Sequence, residues 1–240
     1  MRKAKPIGGN GRQRVTKKPA GQGAVRTATA HPKASLAAAE NKKLMKIGIV
    51  AIQGDFEAHA AMLRRLGAET VEVRTVKDLE GCDGIVLPGG ESTTQLQFLK
   101  EEGLFEAIQE FSRNGGAIFG TCAGAILLAD KVKNPEQESL GLLNMTVLRN
   151  GYGRQLASDV FFGESTLKEG PLEMVFIRGP IIEKVGQGIS VLARHEGKPA
   201  LVEKGNLLAA TFHPELSEDP SVHEHFLEMA AKSHQAAGAR

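Results

Sequence analysis

Ala117-Ile118-Phe119-Gly120-Thr121-Cys122-Ala123-Gly124 is a short apolar run that ends at a cysteine and passes at once into an apolar stretch of helical character. Ala117 to Phe119 read as a buried strand. Gly120 and Gly124 leave room for a sharp strand-to-helix turn, with Cys122 at its tip. A thiol placed there meets the start of a helix, where unpaired N–H groups and the positive end of the helix dipole favour the reactive thiolate. Most cysteines that follow an apolar run only pack, and Cys82, in Gly81-Cys82-Asp83, reads as a core or plain surface thiol. Cys122 differs because a second strand-like run, Leu207 to Phe212, ends in His213-Pro214-Glu215. That pattern supplies a base and an acid to orient it.

Outward from this turn the periodicity alternates between strand and helix. Lys46 to Ile52 is nearly all apolar, as in a parallel strand buried on both faces, and Phe56, His59, Ala60, Leu63 and Leu66 follow at helical spacing until Gly67. Val71 and Val73 mark a second strand, and Ile85 to Leu87 a third, closed by Pro88-Gly89-Gly90. Leu96, Leu99, Leu104, Phe105, Ile108 and Phe111 supply one or two helices before the strand that leads to Cys122. The later part is richer in strands, at Met145–Arg149, Met174–Arg178, Ile189–His195, Ala200–Lys204 and Leu207–Phe212, and a helix over about Ser221–Lys232 closes the domain. Strands separated by helices predict a mostly parallel sheet covered on both faces, an α/β three-layer sandwich of flavodoxin-like type. Its ligand site belongs at the carboxyl ends of the strands, where Gln53-Gly54, Gly89-Gly90, Cys122 and His213 all fall.

Composition narrows the function classes. The chain has 240 residues and 41% hydrophobic ones, enough for a large core, and no apolar run long enough to cross a bilayer. Two cysteines make no disulfide framework, so a cytoplasmic setting is expected. Residues 1–44 hold eleven of the 30 Lys and Arg but only Glu40 among the 28 acids, so the slight net positive charge belongs to this tail. The tail has almost no large apolar residues and is expected to be disordered. It reads as an upstream tag or mis-assigned start, with Met45 the natural beginning, in preference to a transit peptide or a nucleic-acid-binding arm. The globular domain is then 45–235. Neither nucleic acid nor a membrane is expected as a partner.

The chemistry of a thiolate, an imidazole and a carboxylate is acyl transfer through a thioester. His213 moves the proton, Glu215 orients His213, and N–H groups of Gly90 and Ala123 are the candidates to hold the oxyanion. Taken alone, Pro88-Gly89-Gly90-Glu91-Ser92 is an ordinary turn capped by Ser92. Arg149 and Arg178 suit a carboxylate, and equally suit the surface at a strand end. No histidine spacing fits a metal, no lysine completes a phosphate loop, and no cofactor is called for. His223-Glu224-His225 reads as an exposed helix face, and His195 as a surface residue.

Gly120-Thr121-Cys122-Ala123-Gly124 with His213-Pro214-Glu215 resembles the class I triad glutamine amidotransferases. Gln53-Gly54, Pro88 through Thr94, Leu142 through Asn150, Gly153-Arg154-Gln155, Phe176 through Pro180 and Phe212 through Leu216 narrow the resemblance to the glutaminase subunits of pyridoxal 5′-phosphate synthase, from Met45 to about Lys232. The resemblance implies hydrolysis of L-glutamine to glutamate and ammonia, with the ammonia passed to a synthase subunit in a hetero-oligomer. It implies the triad Cys122, His213 and Glu215, and glutamine binding by Gly90, Glu91, Ser92, Arg149, Ile177 and Arg178. It places Gln53 near the face shared with the synthase subunit, and His59, in the first-helix pattern, in contact with the same partner. A glutaminase serving histidine or purine synthesis, or another cysteine hydrolase of similar fold, is the alternative.

Overall fold

Five strands of the chain lie parallel in one sheet, and the end at which they stop is where the chemistry collects. A computed structural model describes residues 44–151 and 159–238, with side chains as far as residue 233. The tail as far as residue 43 and the Gly153-Arg154-Gln155 motif lie outside the described residues. β1 (Lys46–Val50), β2 (Glu69–Val73), β3 (Gly84–Leu87), β4 (Ala117–Thr121) and β12 (Leu207–Ala210) run parallel, and β10 (Ser190–His195) and β11 (Lys198–Lys204) join antiparallel. The order across the seven strands is β10-β11-β12-β4-β3-β1-β2.

Side chains alternate across this sheet, and both sets are buried. Ile85, Leu87 and Ile118 join the core beneath α2 (Ser92–Glu101), α3 (Leu104–Arg113) and α4 (Ala123–Leu128). Val86, Ala117 and Phe119 join the opposite core beneath α1 (Phe56–Arg65) and α5 (Ser221–Gly238). Two apolar faces on one sheet need a cover on each side, which produces the three-layer, flavodoxin-like sandwich. Gly103, in the left-handed region at φ 68°, separates α2 from α3, so the apolar stretch between Leu96 and Phe111 is two helices. Among the described residues no helix is long and apolar enough to span a membrane.

Three strands lie outside the expected set. β5 (Ala129–Lys133) follows α4 directly and pairs with β6 (Leu143–Leu148), which pairs in turn with β9 (Ile181–Val185). β7 (Asp159–Gly163) and β8 (Leu172–Phe176) form a hairpin. The His213 N–H donates to Val175 O at 2.8 Å, which ties this hairpin to the end of the main sheet.

Candidate active site

Register brings the site together. β4 lies between β3 and β12, with Leu87 opposite Gly120 and Ala210 opposite Thr121, so the residues just past each strand emerge side by side. Cys122 follows Thr121 at φ 48°, ψ −100°, a backbone conformation rare for a residue with a side chain. The glycines around it are needed for contact. A Cβ on Gly124 would lie 1.9 Å from Leu87 O, and one on Gly120 would lie 2.6 Å from the Gly124 carbonyl. Only glycine lets α4 start this close to β3 and β4.

The side chains expected to form the triad meet here. Cys122 and His213 line the same cavity, and His213 Nδ1 lies 2.8 Å from Glu215 Oε1. Burial works against a charged imidazole. The hydrogen bonds to Cys122 and Glu215 outweigh it, and His213 is pushed up to about 10. Burial likewise raises the Glu215 carboxyl, but His59 and the His213 hydrogen bond prevail and hold it below the usual carboxylate range. The Gly89 backbone forms the floor under the imidazole, since a Cβ there would lie 2.4 Å from His213 Cε1. Asp55, His213 and Glu215 place possible ligand atoms within 4.8 Å of one another, but His213 Nδ1 is already engaged by Glu215 at 2.8 Å.

Cys122 and His213 open into a cavity of about 440 Å³ lined also by Gly90, Glu91, Ser92, Arg149, Ile177 and Arg178. Glu215 lies behind His213, and Ala123 opens α4, where the first N–H groups have no partner within the helix. Glu91, not Ser92, caps α2. One oxygen, Oε2, accepts from the Thr94 N–H at 3.0 Å, and the other, Oε1, accepts from Arg149 Nη2 at 2.9 Å. The Ser92 hydroxyl turns instead to Gln137 Oε1 at 2.9 Å, and is buried. Arg178 stands at the rim with φ 46°, and Ile177 precedes it, half-buried. Gln53 Nε2 donates to Glu91 O at 2.9 Å, and a Cβ on Gly54 would lie 2.1 Å from Gly89 O. The loop after β1 therefore rests on the glycine turn after β3.

The histidines differ from expectation. His59 is fully buried in the chain's interior, which removes it from any partner-facing surface. His223 is also fully buried, so His223-Glu224-His225 is not an exposed face. His195 is buried between the rings of Phe161 and Phe176. Helical spacing held the signal for two of them. His59 shares the stripe of Leu63, and His223 that of Val222 and Phe226.

The profile of the SNO glutamine amidotransferase family matches residues 49–232 of this chain. A pyridoxal 5′-phosphate synthase subunit PdxT from Koribacter versatilis (strain Ellin345) is 52% identical over 185 residues, which cover 77% of this chain and 95% of that one. The subunit of the same name from Thermus thermophilus is 50% identical over 188 residues, 77% of this chain and 97% of its own. Among solved structures, a glutamine amidotransferase crystal structure superposes with a TM-score of 0.73 at 45% identity, covering 77% of this chain and 98% of the other.

Proposed function

Because the chain belongs to the SNO glutamine amidotransferase family, we propose that it hydrolyses L-glutamine to glutamate and ammonia as the glutaminase subunit of a pyridoxal 5′-phosphate synthase. The observation that carries this reading is the meeting of Cys122 with the hydrogen-bonded pair His213 and Glu215 at the mouth of a cavity that also holds the Glu91–Arg149 pair. Attack of the Cys122 sulfur on the glutamine carboxamide carbon forms the C–S bond. The C–N bond then breaks, and His213 protonates the nitrogen, which leaves as ammonia. Water activated by the same imidazole cleaves the thioester to glutamate and restores the thiol. Glu215 keeps His213 oriented.

The two N–H donors proposed for the oxyanion are Gly90 and Ala123. Arg149, with Arg178 at the rim, takes the α-carboxylate, while Gly90, Glu91, Ser92 and Ile177 shape that end of the cavity. Glu91 holds Arg149 in place as it does so. Gln53, seated on the backbone of Glu91, is proposed to report binding of the synthase subunit to the glycine turn. Gln95 holds Gly89 O at 2.8 Å, and any rotation of the Gly89–Gly90 peptide must break that bond. Residues 45–235 are proposed as the glutaminase domain, working in the cytoplasm, with residues 1–44 dispensable to it. No cofactor takes part in these steps.

The test is glutamate release measured with and without the synthase subunit of such an enzyme. The reading expects release that rises on mixing and is abolished in Cys122→Ala. Release by Cys122→Ala at the unsubstituted rate would overturn it.

A further inference from the structure

Behind Glu215, on the side away from the cavity, two histidine rings are buried among aromatic side chains. His59 Nε2 lies 3.3 Å from Glu215 Oε2 and 3.1 Å from Thr121 Oγ1, and its Nδ1 lies 2.9 Å from His223 Nε2. Both rings stand edge-on to Phe119. Packing does not account for them, since an apolar side chain would fill this volume without burying polar atoms. Among the described side chains, the buried polar atoms without a hydrogen bond of good geometry are Glu215 Oε2 and His223 Nδ1, the two ends of this series.

The tautomers follow from the charges. A bare His59 Nε2 would turn a lone pair toward the Glu215 carboxylate, and His223 would then bury an unsatisfied N–H. With the proton on His59 Nε2 and another on His223 Nε2, each ring N–H faces an acceptor, the first between Thr121 Oγ1 and Glu215 Oε2 and the second at His59 Nδ1. On His223 the atom left over is then the Nδ1 lone pair, which costs less than an orphaned N–H. Burial lowers both histidines, against the pull of Glu215 on each and of Asp55 on His59, while His213 lowers His59 and both His59 and Arg65 lower His223, which favours neutral rings.

We propose that His59, its tautomer set by His223, is a positioning residue that presents an N–H to the second oxygen of Glu215 and so holds the carboxylate square to His213. This inference rests on the Cys122–His213–Glu215 reading above. The Oε1 contact alone leaves Glu215 free to rotate about its carboxyl axis. The His59 N–H, 3.3 Å from Oε2, opposes that rotation electrostatically, and the imidazole is steadied through it.

The test reads the thiol directly and needs no glutamine, so its failure is separable from failure of the glutaminase reading, which glutamate release decides. In the full chain carrying Cys82→Ser, the rate of Cys122 alkylation by iodoacetamide is followed from pH 5 to 10. His59→Leu should slow alkylation at pH 7 by about ten- to a hundred-fold, the range for losing one hydrogen bond to a charged group, and shift its midpoint to higher pH. His59→Gln, which keeps an N–H near the Nε2 position, should recover most of the rate. A folded His59→Leu with the unsubstituted rate and midpoint would overturn the proposal, as would a His59→Gln no better than His59→Leu. If His59→Leu fails to fold, imidazole ¹⁵N shifts of the unsubstituted chain decide. A neutral His59 protonated at Nε2 between pH 6 and 8 supports the proposal, and a proton on Nδ1 or a charged ring overturns it.

Discussion

Gly124→Ala perturbs the elbow without touching a reacting group. The new Cβ would lie 1.9 Å from Leu87 O and 2.9 Å from Leu87 Cβ, far inside ordinary contact. Leu87 O belongs to a strand paired on both sides and cannot yield, so α4 must withdraw. A withdrawal of about 1 Å carries Cys122 with it, and a misplacement of that size costs on the order of a hundred-fold in rate. Overpacking of this kind costs about 1–3 kcal/mol, which in a chain of this size lowers the Tm by about 2–12 °C. Gly115→Ala is the control. Gly115 has φ 92°, but a Cβ there would meet nothing within 4 Å, so it should lose about 1–2 kcal/mol through backbone strain alone and keep its turnover. Thermal melts by circular dichroism and glutamate release in the presence of the synthase subunit measure both quantities. A Gly124→Ala chain that melts and turns over like the unsubstituted one would show that α4 accommodates a Cβ against Leu87 O without withdrawing.

Other substitutions and conditions test separate parts of the account. Folded His223 is lowered to about 3, so below the ordinary histidine value of 6.5 the unfolded chain binds the extra proton and stability falls with pH. Urea unfolding between pH 6.5 and 4 should show a slope of about 1.4 kcal/mol per pH unit from this residue, missing in His223→Leu. His213 runs the other way. Raised to about 10, its contribution is complete below pH 6.5 and is lost as pH climbs toward 10, a loss that His213→Asn should abolish in alkaline unfolding curves. Arg149→Ala and Arg178→Ala should each weaken glutamine saturation by about ten- to a hundred-fold, since each removes a charge-assisted contact; unchanged saturation curves would take them out of the site. Deleting residues 1–44 should leave the Tm and glutamate release unchanged, and a lower Tm would show that the tail docks.

Much of this was legible because the strands that carry the site are buried on both faces and so read as plain apolar runs. Their ends were marked by glycine or by His-Pro, which located Gly90, Cys122 and His213 without any knowledge of pairing. β5 escaped because Ala129-Asp130-Lys131-Val132-Lys133 alternates weakly and follows α4 with no turn residue between them. β9, Ile181-Ile182-Glu183-Lys184-Val185, owes its place to pairing with β6, a long-range contact that no local pattern carries. His59 and His223 are 164 positions apart, and only the folded sheet brings them behind Glu215. Leu63 and Phe226 at helical spacing mark their buried stripes, while the polar imidazoles and the neighbouring Glu57 and Glu224 carry the pattern of a solvated face.

A covalent thioester on Cys122 is visible to mass spectrometry. The chain, mixed with its synthase subunit and glutamine and quenched in acid during turnover, should carry a γ-glutamyl group on the peptide containing Cys122. No such group should appear in Cys122→Ala. Glutamate released at full rate with Cys122 unmodified at every quench time, or a glutamyl group found on Cys82 instead, would contradict the account.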